Sequence, residues 1–418
     1  MTRTDDLFPM LTRDEVRTRT EQARRNGYAG WLWPDVPLQD WRAAVEDIAQ
    51  VTRGVLRGDG HVALEDCDPT TASVAGYTSG MGALFGHWIE TSAVDTTRAL
   101  ADVFRQHLAH NRLRMAKLAA VAAETVERLN AAGATPIIVK GMHTAFAYFP
   151  EPGARTLSDI DLYISMSAMG AAEEIFAAAG YHRILRLQAP YACDWVPSGQ
   201  REEPHTLAYV HQDDPWFFDV QGSLNRRLLT GKQVTLDALF SPAAMMTWPL
   251  STRGRVLKQP LLALHLAAHI SQILLSATLQ RVVELILVIR KDEASGALRW
   301  DEFLAGAEKI GGGRLIYPAL EFCEQLAPGT VPARVLEACR ADAPRNLRQV
   351  VGSLSVGTAQ PLGRHSFRER FMWAGTWRER LQQVAGEFAL DGRRQPLPAT
   401  LRSVGTKLWA LRRGRYTA

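Results

Sequence analysis

Residues 155–161 read RTLSDID, and the run continues LYIS to residue 165. In a strand, alternate side chains share a face. Asp159, Asp161 and Tyr163 therefore point one way, and Ile160, Leu162 and Ile164 the other. The apolar side can be buried, so the stretch predicts a strand over 156–165. Two carboxylates about 6–7 Å apart along it repel and raise each other's pKa. A divalent cation removes that cost, and magnesium takes a few carboxylates together with phosphate oxygens and water. An acidic but unliganded strand face is the simpler reading, and DxD by itself does not exclude it.

The neighbouring residues favour the metal. TPIIVKG (135–141) is a β-branched run closed by glycine, a second strand. Its Lys140 supplies charge for a phosphate, and Gly141 permits close backbone approach. Arg155 adds a planar fork of donors and Ser158 a hydroxyl. Further on, WFFDVQG (216–222) places Asp219 between apolar neighbours. It is either a strand aspartate held by a local partner or a third carboxylate, able to activate an acceptor hydroxyl.

Outward from this centre, residues 96–132 carry apolar side chains at three- and four-residue spacing, which predicts one long helix ended by Gly133. MHTAFAYF (142–149) and 166–181 are helices, PEPGAR (150–155) a loop, and HTLAYVH (205–211) a further strand. His205 and His211 bracket that strand, and no role follows for them. After Pro260 the pattern is helical, beginning LLALHLAAHISQILL and LQRVVELILVIRK. His265 and His269 share a helix face, but Leu266 stands where the HExxH metal motif needs glutamate. They read as core residues or as lining an acceptor pocket. Arg281 and Glu284, at helical spacing, are expected to pair. Gly311-Gly312-Gly313 is followed by Arg314 and Leu315, which excludes a phosphate loop.

The totals exclude several classes. A chain of 418 residues, 46% hydrophobic and 22% charged, is globular and long enough for more than one core. A net charge of +4 is too small to argue for nucleic acid. The four cysteines form no CxxC pair, which suits a reduced cytoplasmic setting better than a disulfide scaffold or zinc ribbon. The start, MTRTDDLFPML, has no apolar stretch of a signal peptide. The apolar run 261–277 carries two histidines and is short for a membrane span. Three tryptophans in GWLWPDVPLQDW (30–41) read as packing. The expected organisation is a mostly helical region over 1–95, an α+β core over 96–235, a helical domain over 236–390 and a basic tail over 391–418.

One resemblance joins these parts. Val139-Lys140-Gly141 is followed after seven residues by Phe149-Pro150-Glu151-Pro152-Gly153, then Arg155-Thr156, then Ser158-Asp159-Ile160-Asp161-Leu162. This resembles the uncharacterised nucleotidyltransferase-type family of the DNA polymerase β-like superfamily. FFDVQGSL and the two helices after Pro260 resemble its later segments, so the likeness spans roughly residues 100–300. The sequence departs from the family in Gly141-Met142, where Gly-Gly or Gly-Ser is usual, in Val220-Gln221, and in Glu284.

The resemblance implies an α+β fold, a small mixed-sheet polymerase β-like core flanked by helical regions. It also implies a metal-dependent nucleotidyltransferase. Asp159, Asp161 and Asp219 would bind Mg²⁺ or Mn²⁺ and carry catalysis. Lys140, Gly141, Arg155 and Ser158 would hold the phosphates of an NTP, ATP being the expected donor. His265, His269 and Arg281 would border the acceptor, a hydroxyl on a small molecule, peptide or protein. The alternative is a catalytically degenerate copy of the fold that binds a peptide or protein. Neither reading involves a nucleic-acid template or a membrane span.

Overall fold

The computed structural model describes residues 7–26, 29–185, 192–227, 233–356, 372–374 and 376–377. The expected basic tail lies outside the described residues. A seven-stranded mixed sheet is the centre of the fold. Its strands are β1 (Ile137–Ile138), β2 (Asp159–Tyr163), β3 (Tyr181–Leu185), β4 (Ala192–Pro197), β5 (Phe217–Gln221), β8 (Met245–Trp248) and β9 (Ser251–Leu257). They lie in the order β3-β4-β5-β2-β1-β9-β8. Between them in sequence, β6 (Arg226–Arg227) and β7 (Gln233–Val234) form a separate two-strand piece.

The alternation in DIDLYI does what the sequence predicts. Ile160, Leu162 and Ile164 are buried in one apolar cluster with Phe218, Val220 and Ile138. Asp159, Asp161 and Tyr163 take the opposite face. β2 pairs antiparallel with β1 and parallel with β5, so the strand carrying the two aspartates is interior to the sheet.

The helices wrap this sheet. α1 (Arg13–Asn26), α2 (Leu38–Arg57), α3 (Pro69–Ser79) and α4 (Gly82–Glu90) precede the long α5 (Arg98–Ala131). α6 (Met142–Ala147) and α7 (Met169–Ala178) lie between strands. α8 (Leu261–Gln272), α9 (Leu279–Ala294), α10 (Trp300–Lys309), α11 (Tyr317–Leu326), α12 (Ala333–Asp342) and α13 (Arg345–Ser353) follow. α5 spans 34 residues, about 50 Å at 1.5 Å per residue. Thr97 caps its start, accepting from the Leu100 N–H, and Gly133 beyond its end adopts φ +78°. Its first half buries Leu100, Phe104 and Leu108, the first two in a core shared with α2–α4. Its second half buries Met115, Leu118, Ala122 and Val126 under the sheet. The helix thus ties the N-terminal layer to the back of the strands.

Three features differ from the sequence expectation. HTLAYVH is a loop, not a strand. The Asp214 carboxylate accepts from the backbone N–H groups of His205 and His211, which bends the segment round one side chain. The carbonyls of Leu207 and Ala208 accept from Trp33 Nε1 and Ser73 Oγ instead of joining a ladder. The strand beside β5 is β4, where Cys193 and Trp195 are buried and the Trp195 ring stacks on Phe176. Finally, the β8–β9 hairpin lies inside 236–390, expected to be helical, yet β9 pairs in parallel with β1 and completes the sheet. The helices on either side of the sheet in sequence also share a core. A single apolar cluster runs from Trp41 and Phe85 through Leu264 and Val283 to Leu320 and Trp373.

α4 crosses α5 at close range, because a Cβ at Gly86 would run into the Phe104 carbonyl and one at Gly82 into the His107 ring. His107 is fully enclosed, 3.0 Å from Ser73 Oγ, and burial, with His110 beside it, pushes it down to about 3 from 6.5. His143, pushed down to about 4 by burial, behaves alike. Both are neutral when folded, so their stability contribution is complete above pH 6.5. As pH falls below that, the unfolded chain takes up protons that the folded chain refuses, and stability declines. Urea midpoints should therefore fall from pH 6.5 towards pH 4, and His107→Gln should flatten that fall. An unchanged slope in the variant would contradict the buried neutral ring.

Candidate active site

Three carboxylates meet at the start of β2. Asp161 and Asp219 are direct partners across the parallel β2–β5 ladder, so their side chains leave the sheet on the same face. Asp159 shares that face two residues earlier. Each residue of the trio offers an oxygen within 4.8 Å of the others'. Asp161 and Asp219 are buried and Asp159 is half-buried. Burial pushes the Asp161 carboxyl up to about 7; Lys140 pulls it down, while Asp159 and Asp219 push it further up.

Each carboxylate also has a local support. Lys140 Nζ lies 2.8 Å from Asp161 Oδ1, and both side chains are buried. Gln221 Nε2 donates to Asp219 Oδ2 at 2.8 Å, two residues along the same strand face. Ser158 Oγ donates to Asp159 Oδ1 at 3.2 Å. Gly141 follows Lys140 with φ +38°, and a Cβ there would press on Leu157. The chain can therefore turn straight from Lys140 into α6 only with glycine at this point.

Asp159 and Asp161 line a cleft of about 360 Å³, whereas Asp219, beside Asp161 across the ladder, and Gly141 are not on its wall. Of the residues singled out from the sequence, Lys140, Arg155, Ser158, Asp159, Asp161 and Arg281 line it. His265 does not, being fully buried within α8. His269 also lies off the cleft wall, against the guanidinium of Arg281. Glu284 does not take Arg281 as its hydrogen-bond partner. It grips Arg155 with both oxygens, at 3.1 and 2.8 Å, and accepts from Thr144. The helical spacing of Arg281 and Glu284 is real, but Arg155 reaches Glu284 from the loop before β2 in a two-point geometry.

Several wall residues escape the sequence reading. Arg114 of α5 is buried and donates to the carbonyls of Leu157, Asp214 and Pro215 at 2.8, 2.6 and 2.9 Å. It thereby sets the entry to β2 beside the entry to β5. An arginine on the inward stripe of the helix, close after His107, His110 and Asn111, was its only sequence signal. Tyr77, Thr156 and Gln280 also line the cleft, and Gln280 Nε2 donates to the Thr156 carbonyl at 3.1 Å. Nothing in their spacing announces them, because three separate segments bring them together.

Residues 78–328 match the family described as uncharacterised nucleotidyltransferase. The chain belongs to that family. The match covers the whole sheet, α5 and the helices through α11, and so includes every residue of the carboxylate trio and its supports. No curated protein and no solved structure shows significant similarity to the chain. Membership supports transferase chemistry with an NTP as donor and a divalent cation in general terms. The donor set fits such a cation: three clustered carboxylates, two of them buried, supply hard oxygen ligands. Among the described residues no helix is long and apolar enough to cross a membrane.

The Arg155–Glu284 pair is fully enclosed, and losing one member strands the other's charge. Glu284→Ala should lower unfolding free energy by about 3–5 kcal/mol, read from urea denaturation. Replacing both, as Arg155→Met with Glu284→Leu, should cost far less. Equal losses in the two proteins would refute the assignment of the cost to a stranded charge.

Proposed function

We propose that the protein transfers a nucleoside monophosphate from an NTP, ATP being the expected donor, to a hydroxyl, releasing pyrophosphate. The supporting observation is the pairing of Asp161 with Asp219 across two strands, with Asp159 beside them, where Asp159 and Asp161 line a cleft that also holds basic side chains. Asp159, Asp161 and Asp219 would hold one or two Mg²⁺ or Mn²⁺ ions. When bound, such an ion neutralises the triphosphate and makes the α-phosphorus a better electrophile.

The chain's own groups then have defined tasks. Arg281 and Ser158 face the cleft and would contact phosphate oxygens. Lys140, now on Asp161, would exchange that contact for phosphate when the carboxylate turns to a cation. Arg155 is held by Glu284 and acts chiefly as a fixed positive wall. Asp219, oriented by Gln221, would take the proton of the acceptor hydroxyl. The acceptor oxygen attacks the α-phosphorus in line, the bond to the bridging oxygen of pyrophosphate breaks, and the monophosphate remains on the acceptor. No covalent enzyme intermediate is needed. The acceptor would be a small molecule, peptide or protein, and a cytoplasmic setting suits the four free cysteines.

A second reading, a degenerate fold that binds a peptide or protein without turnover, has one observation in its favour. Lys140 and Arg155, two cations expected to grip phosphate, are each engaged by a carboxylate. One titration separates the two readings. Each of the four NTPs is added with and without Mg²⁺ to the wild type and to Asp161→Asn. Binding of one nucleotide should require the metal, and the variant should lose it while unfolding at a similar temperature. Loss of a ligand should exceed the roughly 10–100-fold typical of changing an outer partner of a metal site. Metal-dependent nucleotide binding retained in Asp161→Asn would rule out Asp161 as a ligand of the cation, and no binding of any NTP to the wild type would favour the degenerate fold.

A further inference from the structure

The loop that replaces the expected strand at 205–211 gathers a second set of ligating side chains. His205, His211 and Asp214 each present a ligand atom, and all three atoms lie within 4.8 Å of one another. His211 and Asp214 are buried and His205 is partly covered. His205 Nδ1 is 3.3 Å from Asp214 Oδ1. Two ligands on a tetrahedral zinc, at about 2.0–2.1 Å from the ion, are separated by about 3.3 Å, so this edge already has coordination length. The His205 and His211 rings are 4.8 Å apart. His110, reaching in from α5, brings a third imidazole to 4.6 Å from His211.

The loop is held in this shape independently of any ligand. Asp214 accepts the backbone N–H groups of His205 at 2.6 Å and His211 at 2.9 Å. Each carboxylate oxygen has a second lone pair, so these bonds orient the group without exhausting it. His211 Nδ1 accepts from the Asp213 N–H at 3.1 Å, a contact that coordination at Nδ1 would replace. The Leu11 N–H donates to the His205 carbonyl at 2.8 Å, which fastens the N-terminal segment to the same loop.

We infer that His205, His211 and Asp214 form a zinc site distinct from the Asp159–Asp161–Asp219 trio, with His110 or water completing the coordination. The chemistry separates the two centres. Imidazole nitrogen with one carboxylate suits zinc and neighbouring transition metals, whereas three carboxylates suit magnesium. The position gives the site a purpose. Pro204, Val210, Asp214 and Pro215 line the same cleft as Asp159 and Asp161. Arg114 fastens that wall to the start of β2 through the Asp214 and Pro215 carbonyls. Zinc at the three ligands would clamp the wall without touching the reacting groups. The inference does not depend on nucleotidyl transfer.

The test uses the full chain stripped with a chelator and then titrated with Zn²⁺ in the presence of excess Mg²⁺. Bound zinc is measured after gel filtration, and Co²⁺ replaces zinc in a parallel absorption experiment. The wild type and the Asp159→Ala/Asp161→Ala protein should each retain one equivalent of zinc. Both should give the intense visible bands of a four- or five-coordinate cobalt centre. His205→Ala and His211→Ala should lose that equivalent and those bands, and zinc should no longer raise their unfolding temperature. Near-ultraviolet circular dichroism of the metal-free proteins checks that both histidine variants still fold. If either fails to fold, the zinc equivalent and cobalt spectrum of the Asp159→Ala/Asp161→Ala protein decide the matter alone. No retained zinc in that protein would overturn the inference. Zinc retained in both folded histidine variants would overturn it equally.

Discussion

The parallel register of β2 against β5 is the constraint on which the site depends. It sets Asp161 directly beside Asp219, buried and on one face, with Asp159 two residues before. Like charges so placed repel, and burial adds to the cost of ionising them. The fold holds them there because the other face of the same strands is apolar. Ile160, Leu162, Phe218 and Val220 pack under the sheet against α5 and α7. A slip of one residue in either strand would bury a carboxylate in that core and expose an isoleucine or valine. Core packing thus enforces the electrostatic arrangement.

Around this centre, positive charge is supplied and restrained by pairing. Lys140 closes on Asp161, Glu284 closes on Arg155, and Arg281 rests against His269. Each pairing lowers the cost of burying a cation. Each also leaves a charge that can be redirected only by something of comparable strength, as a metal-bound triphosphate would be. The cleft is therefore shaped by ion pairs between segments distant in sequence: β1 with β2, and the loop before β2 with α9.

The helical layers contribute position rather than chemistry. α5 carries one core on its first half and another on its second, and between them places Arg114 under the mouths of β2 and β5. Its close crossing with α4, which Gly82 and Gly86 permit, holds α3 and Tyr77 against the cleft. The N-terminal and C-terminal helices share one core, so movement of either would be felt at the wall of the site.

Much of this was legible in the sequence wherever the information was local. The period-two alternation of DIDLYI fixed a strand with acidic and apolar faces, since the pleat allows no other assignment of those side chains. Apolar spacing fixed α5 nearly to the residue, and Asp159, Asp161, Asp219, Lys140 and Ser158 were named from their neighbours. The pairings were not legible. Glu284 chose Arg155 over Arg281, three residues away on its own helix, because Arg155 reaches both of its oxygens in a two-point contact. HTLAYVH has the alternation of a strand, but Asp214 satisfies its backbone as a loop. The β8–β9 hairpin was hidden in a stretch read as helical because the strand that joins β9 to the sheet, β1, lies more than a hundred residues earlier. Sequence by itself determined which faces are apolar and which residues carry charge. Only the tertiary structure decided which charges meet, because hydrogen-bond and ion-pair partners are selected by geometry between segments that the chain order does not place together.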